Sequence, residues 1–253
     1  MPFGQIETFA HDGVRLAFER QAGAAPTFIW LGGFKSDMPG TKAQALAEWA
    51  RARHQAFVRF DYSGHGQSGG SFEERTLSHW LGDALAVIDT QSQGPLVLVG
   101  SSMGGWIALL AARERPERVK GLLLIAPAAD FTETLLWTSL APEARRQIAE
   151  TGRWERPSDY GPDPHVITRA LIEDGRRHLV MGGPIPFDGP VYIQQGALDP
   201  DVPHEHARRL AGLIGAPDVR FDLILDGDHR LSRQQDLEQL CAAATELAEK
   251  LAR

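Results

Sequence analysis

The sequence predicts an α/β fold: a mostly parallel sheet of about eight strands with helices on both faces. Three observations lead there. Apolar runs without period-two alternation, the pattern of strands buried on both faces, recur between amphipathic helical stretches. The chain opens with two alternating runs joined by a tight turn, which reads as an antiparallel hairpin. Near the middle, Leu96-Val97-Leu98-Val99 passes through Gly100-Ser101-Ser102-Met103-Gly104-Gly105 into the helical pattern Trp106-Ile107-Ala108-Leu109-Leu110, so a strand and a helix meet with almost no loop.

Taken in order, residues 5–10 and 14–19 form the hairpin around His11-Asp12-Gly13. Pro26-Thr27-Phe28-Ile29-Trp30-Leu31 is the first fully apolar strand and runs into Gly32-Gly33-Phe34. Residues 42–53 place Leu46, Trp49 and Ala50 on one helical face, and Gln55-Ala56-Phe57-Val58-Arg59-Phe60 is the next strand. A glycine-rich loop leads to a helix over 76–90, with Leu77, Trp80, Leu81, Ala84, Leu85 and Ile88 on its buried side. The helix after Gly104 is closed by Arg115-Pro116, and Val119 to Ile125 is another buried strand. Between Ala128 and Gly183 the alternation breaks into helical segments and loops. Trp137, Trp154 and Tyr160 look exposed there, and prolines stand at 142, 157, 162 and 164. This stretch, 128–183, is expected to be a small helical cap inserted into one domain spanning 1–253. A strand over 189–196, a helix over 204–214, a strand over 219–225 and a helix over 233–252 complete the chain.

With 253 residues the chain is long enough for one α/β domain that buries roughly three quarters of its unfolded surface. The formal charge of −7 argues against non-specific nucleic-acid binding and against an anionic membrane surface. Arg145-Arg146 and Arg176-Arg177 read as solvated helix faces. No apolar run reaches the length of a membrane span, and Met1-Pro2-Phe3-Gly4 opens no signal peptide. The lone Cys241 cannot form an internal disulfide, so a reducing cytoplasm is the expected location. Asn is absent, which rules out N-glycosylation.

Gly100-Ser101-Ser102-Met103-Gly104 is a G-x-S-x-G motif between a strand and a helix, the setting of the nucleophile elbow in α/β-hydrolases. Two other predicted strand ends supply the remaining chemistry: Asp199 follows Gln195-Gly196-Ala197-Leu198, and His229 follows Leu225-Asp226-Gly227-Asp228. The order Ser102, Asp199, His229 is the one that such enzymes use. A serine hydroxyl attacks well only when a base takes its proton, the role expected of His229. A buried carboxylate, expected to be Asp199, would orient the imidazole and stabilise its charged form. Asp201 lies further from the strand end, and Asp228 adjoins the histidine too closely to reach its ring. The backbone N–H groups of Met103 and Phe34 are the expected oxyanion donors, with side-chain identity of little consequence for those hydrogen bonds.

Other patterns are weaker. Gly64-x-Gly66-x-x-Gly69 matches a dinucleotide fingerprint with Asp89 some way downstream, yet Gly70-Ser71-Phe72-Glu73-Glu74-Arg75 delays the helix that must receive the phosphate. His204-Glu205-His206 puts its imidazoles on different helix faces, and no metal-ligand cluster is evident. Neither a cofactor nor a metal is expected. Lys35, Tyr62 and His65 read as loop packing or solvent exposure in preference to pocket lining.

As a set, Leu31-Gly32-Gly33-Phe34, Gly40-Thr41-Lys42, Arg59-Phe60-Asp61-Tyr62-Ser63-Gly64-His65-Gly66, Gly100-Ser101-Ser102-Met103-Gly104-Gly105-Trp106 and Asp228-His229-Arg230 resemble one group of α/β-hydrolases, that of the mitochondrial α/β-hydrolase domain-containing protein 10. The resemblance spans about residues 28 to 235. It implies removal of acyl chains from cysteine thioesters or hydrolysis of acyl glucuronides. The sequence departs where Gly32-Gly33 replaces Pro-Gly and at the front, where no transit peptide is expected before the first strand. The expectation is a cofactor-free serine esterase or acyl thioesterase acting on a small-molecule or lipid-acylated substrate, without nucleic acid or stable membrane insertion. Alternatives on the same fold are carbon–carbon bond hydrolysis, peptide cleavage, or non-catalytic ligand binding. Phe131, Leu135, Leu136, Trp137, Leu140 and Trp154 offer apolar surface divided between cap packing and an acyl tunnel, which favours extended acyl chains.

Overall fold

The computed structural model describes residues 5–156 and 165–252. Strands β1 (Glu7–His11) and β2 (Val14–Gln21) pair antiparallel across Asp12-Gly13, both of which have positive φ. There follow β3 (Ala24–Leu31), α1 (Thr41–Arg53), β4 (Gln55–Phe60), α2 (Leu77–Gln91), β5 (Leu96–Ser101), α3 (Met103–Glu114) and β6 (Val119–Ile125). The next segment holds α4 (Pro142–Thr151), β7 (Arg153–Arg156), β8 (His165–Thr168) and α5 (Arg169–Gly175). The chain closes with β9 (Val191–Gly196), α6 (His204–Leu213), β10 (Val219–Ile224) and α7 (Gln234–Leu251).

The main sheet has eight strands in the order β1-β2-β4-β3-β5-β6-β9-β10. Every pairing from β4 to β10 is parallel, while β2 is antiparallel to both β1 and β4. The unbroken apolar runs have a simple cause: period-two geometry sends alternate residues to two different cores. Ile29, Leu31, Val58, Phe60, Leu96, Leu98, Leu122 and Leu124 join one, with Trp80, Ala84 and Ile88 of α2 and Ile107 and Leu110 of α3. Phe28, Trp30, Phe57, Val97, Val99, Leu123 and Ile125 join the other, with Leu46 and Trp49 of α1 and Leu240 and Leu247 of α7. Each fully buried side chain of this size contributes about 1.5–3 kcal/mol. The sheet is therefore clamped from both sides, and its carboxyl edge is the rigid platform for the loops that matter.

Between β6 and β9 the chain leaves that pattern. A π-helical turn at Thr132–Leu136 precedes α4, and β7 and β8 pair antiparallel where the sequence suggested only helices and loops. Strands of four residues are too short to show alternation, especially beside the prolines at 157, 162 and 164. Those prolines, Tyr160 and Met1-Pro2-Phe3-Gly4 lie outside the described residues. Leu136, Leu140, Ala144, Ile148, Ile167 and Ile172 form a small core of the segment's own. Trp137 and Trp154 are half-buried rather than exposed. Trp137 lies under the guanidinium groups of Arg145 and Arg176, 5.5 and 5.0 Å from its ring. Asp130 ties the segment's two ends together, because its carboxylate accepts the Val180 and Met181 N–H groups, both at 2.8 Å. Among the described residues, no helix is long and apolar enough to cross a membrane.

Candidate active site

Ser102 stands between β5 and α3 with φ 54° and ψ −118°. Such a conformation costs a non-glycine residue about 1–3 kcal/mol, so its surroundings must enforce it. Three backbone bonds do so: Ser102 N–H donates to Ile125 O at 2.9 Å, while Ser102 O accepts from Gly105 at 2.9 Å and Ala128 at 3.0 Å. The motif's glycines allow the crowding. A β-carbon on Gly104 would overlap the Leu31 carbonyl oxygen and lie 2.6 Å from that of Gly32. Any side chain there would push the end of β3 away from the serine. The pattern in the sequence thus reports a close approach of two backbones.

His229, in the loop after β10, bridges the other two residues. Its Nε2 is 3.1 Å from Ser102 Oγ and its Nδ1 is 2.8 Å from Asp199 Oδ2. The carboxylate is an obligate acceptor, so Nδ1 carries the proton and Nε2 presents its lone pair to the serine. The Asp199 side chain is fully buried, whereas 17% of the His229 side chain is exposed. Asp199 Oδ1 accepts the N–H groups of Asp201 at 2.9 Å and Val202 at 2.8 Å, the local side-chain-to-backbone bonding that Asp favours in turns. Its Oδ2 also accepts Gln195 Nε2 at 3.0 Å. Four hydrogen bonds thus compensate a carboxylate taken out of water.

The histidine loop has its own supports. Lys42 Nζ donates to Arg230 O, and Asp228 Oδ1 accepts Leu231 N–H at 3.0 Å. Burial drives the Lys42 ammonium down to about 8, against the opposing pull of Asp228. Asp228 is exposed and bonded away from the ring. Asp201 lies nearer: among the described residues, Asp199, Asp201 and His229 form a group whose ligand-type atoms fall within 4.8 Å of one another. A metal there would have to compete with the 2.8 Å bond between His229 and Asp199.

Beside the serine, a β-carbon on Gly33 would lie 3.4 Å from Ser101 O and from Ser102 Cβ, so Gly32-Gly33-Phe34 runs alongside Ser102. Met103 opens α3, where first-turn N–H groups have no intrahelical acceptor and favour negative charge. The Phe34 side chain is not passive. Its ring makes edge contacts with Phe72, Trp80 and Phe131 at 4.9, 5.8 and 5.8 Å.

The remaining sequence candidates are accounted for structurally. Gly64 and Gly66 have φ +75° and +45°, and a β-carbon on Gly66 would overlap the Asp61 carboxylate. Since α2 begins only at Leu77, these glycines shape a turn and do not open a helix. His206 Nε2 is 2.8 Å from Ala129 O, while His204 faces Glu205 at 3.2 Å. Tyr62 and His65 are buried, and Lys35 is exposed with Nζ 5.2 Å from the Phe72 ring. Sequence reasoning missed Gln195, Lys42 and Asp130. The signal for Gln195 was present, as two glutamines at the end of an otherwise apolar strand.

Comparison with known proteins gives this geometry a family. Residues 38–170 match the family model described as serine aminopeptidase, S33. The chain is 38% identical to mouse palmitoyl-protein thioesterase ABHD10, mitochondrial, over 93% of this chain and 80% of the mouse protein. The structure of mouse ABHD10 superposes with a TM-score of 0.90 at 36% identity, covering 98% of this chain and 100% of that one. A solved protein from Agrobacterium vitis S4 gives 0.92 at 46% identity, covering 96% and 99%. The relatives' names overturn the expectation of a cytoplasmic location, since they read mitochondrial. That expectation rested on one unpaired thiol, which reports redox conditions and not a compartment. The chain belongs to the α/β-hydrolase superfamily, in the serine aminopeptidase S33 family and the group of ABHD10.

Proposed function

We propose that the protein hydrolyses acyl thioesters and esters through an acyl-enzyme on Ser102, with His229 as general base and acid and Asp199 as its orienting carboxylate. The observation that carries this reading is the unbroken chain of contacts, 3.1 Å from Ser102 to His229 and 2.8 Å from His229 to Asp199. Ser102 Oγ attacks the acyl carbon as its proton passes to His229 Nε2. The tetrahedral oxyanion is held by the backbone N–H groups of Phe34 and Met103. Each such donor is typically worth about 2.7–4 kcal/mol in the transition state. When the intermediate collapses, the carbon–sulfur or carbon–oxygen bond breaks and the proton on Nε2 goes to the leaving group. Water, deprotonated by the same nitrogen, then attacks the acyl-serine and releases a carboxylic acid.

The described part of residues 128–183 acts as a cap over this site within one domain. The relatives named as palmitoyl-protein thioesterases support an extended acyl chain, and so does the apolar environment. Phe34, Trp137 and Trp154 pack against the cap's core, with Phe131 beside Phe34. Burying each methylene contributes about 0.8 kcal/mol. A few additional carbons therefore raise kcat/KM by roughly 10²-fold if the chain is held in the transition state.

The test has two arms. A fluorophosphonate probe should label Ser102, and kcat/KM across matched thioesters should climb from acetyl to longer acyl chains. No labelling would leave a ligand-binding protein on the same fold. A profile that peaks at acetyl would remove the long-chain reading, and faster turnover of peptides or diketones would replace ester chemistry with one of those reactions.

A further inference from the structure

We infer that His65 is a positioning residue for the oxyanion hole, its Nε2 accepting the Lys35 N–H and fixing the turn that presents the Phe34 N–H beside Ser102. The inference rests on the proposed role of Phe34 as an oxyanion donor.

The turn needs such support. It is closed by Ser36 N–H donating to Gly33 O at 3.1 Å, which leaves Phe34 and Lys35 as its central residues. Lys35 sits at φ +57°, a left-handed conformation costing a residue with a β-carbon roughly 1–2 kcal/mol. The other end of the turn, Gly33, is the residue pressed against Ser102. A small rotation about this turn therefore moves the Phe34 N–H relative to the reacting carbonyl.

His65 grips the turn from below. The Lys35 N–H reaches its Nε2 at 3.1 Å, and an amide N–H can only donate, so Nε2 is the unprotonated nitrogen. Nδ1 then holds the ring proton and donates to Ser63 O at 3.3 Å. Ser63 is anchored in turn, its N–H and Oγ donating to Asp83 Oδ2 of α2 at 2.8 and 2.6 Å. Trp80 Nε1 donates to the same Ser63 carbonyl at 3.1 Å. The imidazole is 4% exposed and makes edge contacts with Tyr62, Phe72 and Trp80 at 5.7, 5.1 and 5.4 Å. Burial pushes its pKa down to about 4, so the Nε2 lone pair stays available at neutral pH. A histidine wanted only for packing in this aromatic nest would have no need of an aimed acceptor.

His65→Phe separates the two roles, because it keeps a ring in the nest and deletes the acceptor. The expected result is an unchanged or higher Tm. The kcat for a thioester should fall on the order of 10–100-fold, the scale of a misplaced catalytic group, with KM within about twofold. Affinity for a trifluoromethyl ketone, whose adduct with Ser102 bears an oxyanion, should fall by a similar factor. His65→Gln, which restores an acceptor oxygen, should recover part of both losses. Wild-type kcat and inhibitor affinity in folded His65→Phe would overturn the inference, as would His65→Gln being no better than His65→Phe. Should His65→Phe not fold, ¹⁵N spectra of the histidines in the wild-type protein read the same bond: a neutral ring protonated on Nδ1 is expected, and protonation on Nε2 overturns it. Failure of the underlying reading looks different, since the wild-type protein would then show no thioesterase activity, or none that Ser102→Ala abolishes.

Discussion

Asp199→Asn exchanges one atom and reverses the hydrogen-bonding logic of the site. Oδ1 accepts two backbone amides, from Asp201 and Val202, so the Asn carbonyl oxygen must take that position. The new NH₂ group then replaces Oδ2 and faces two donors, His229 Nδ1 and Gln195 Nε2. His229 can adapt by carrying its proton on Nε2, but that nitrogen, 3.1 Å from Ser102 Oγ, can then no longer accept the serine proton. The expected loss in kcat is ~10⁴-fold, or about 5.5 kcal/mol of transition-state stabilisation. Gln195 cannot adapt, because Nε2 also donates to Gly196 O at 3.1 Å and Val202 O at 3.0 Å. Turning its amide would set an oxygen against both carbonyls. One donor–donor conflict therefore persists in a buried site, costing ~1–3 kcal/mol. At ~2–4 °C per kcal/mol, Tm should drop by roughly 2–12 °C. Steady-state hydrolysis of a p-nitrophenyl ester and thermal melts followed by circular dichroism measure both effects. A folded Asp199→Asn enzyme within tenfold of wild-type kcat would refute the reasoning, and a larger loss in Asp201→Asn would move the acid to that residue.

Ser102→Ala should lower kcat by ~10⁴-fold or more while Ser101→Ala leaves most of it; equal losses in two folded variants would sink the elbow assignment. The His65 imidazole has a folded pKa of about 4 against 6.5 for the free side chain, so the stability tied to its neutral form is present above pH 6.5 and lost as pH falls through 4. Urea unfolding should show wild type losing roughly 3 kcal/mol more than His65→Phe between those limits, and parallel curves would contradict that. EDTA should leave turnover unchanged, since His229 Nδ1 is committed to Asp199. Inactivation reversed by zinc would instead make Asp199, Asp201 and His229 a metal site.

The sheet was legible because two-sided burial leaves a direct trace. Once both faces of β3, β5 and β6 are covered, nearly every position must be apolar, and such runs stand out against the helices. The candidate nucleophile was legible for a related reason. Gly100 and Gly104 are demanded by backbone contacts that tolerate no side chain, and crowding of that kind fixes residue type at fixed spacing. What escaped was set by three-dimensional proximity alone. Lys42 reaches Arg230 across 188 positions of sequence, and Asp130 finds Val180 and Met181 across the whole inserted segment. Neither pair leaves a local pattern. The β7–β8 hairpin escaped because four residues cannot establish a period.

Phe34 shows why a residue chosen for its backbone can still be constrained through its side chain. Edge contacts between aromatic rings contribute about 0.5–1.5 kcal/mol each beyond area burial, and among the described residues Phe34 makes three. The partners come from three places: Phe72 from the glycine-rich loop, Trp80 from α2, and Phe131 from the start of the inserted segment. The same ring also packs against the segment's own core. An acyl chain lying beneath that segment, as proposed, would meet these rings, and whatever tightens or loosens them would act on the turn that holds the Phe34 N–H. Interactions raise kcat only when they are stronger in the transition state than in the ground state. An acyl chain that packs well on this cluster would steady the proposed oxyanion donor at the moment charge develops. An acetyl group, covering less of it, would leave the donor more to His65 and the turn. On that account acyl-length preference should appear mainly in kcat, with the inserted segment and the proposed oxyanion turn acting as one device.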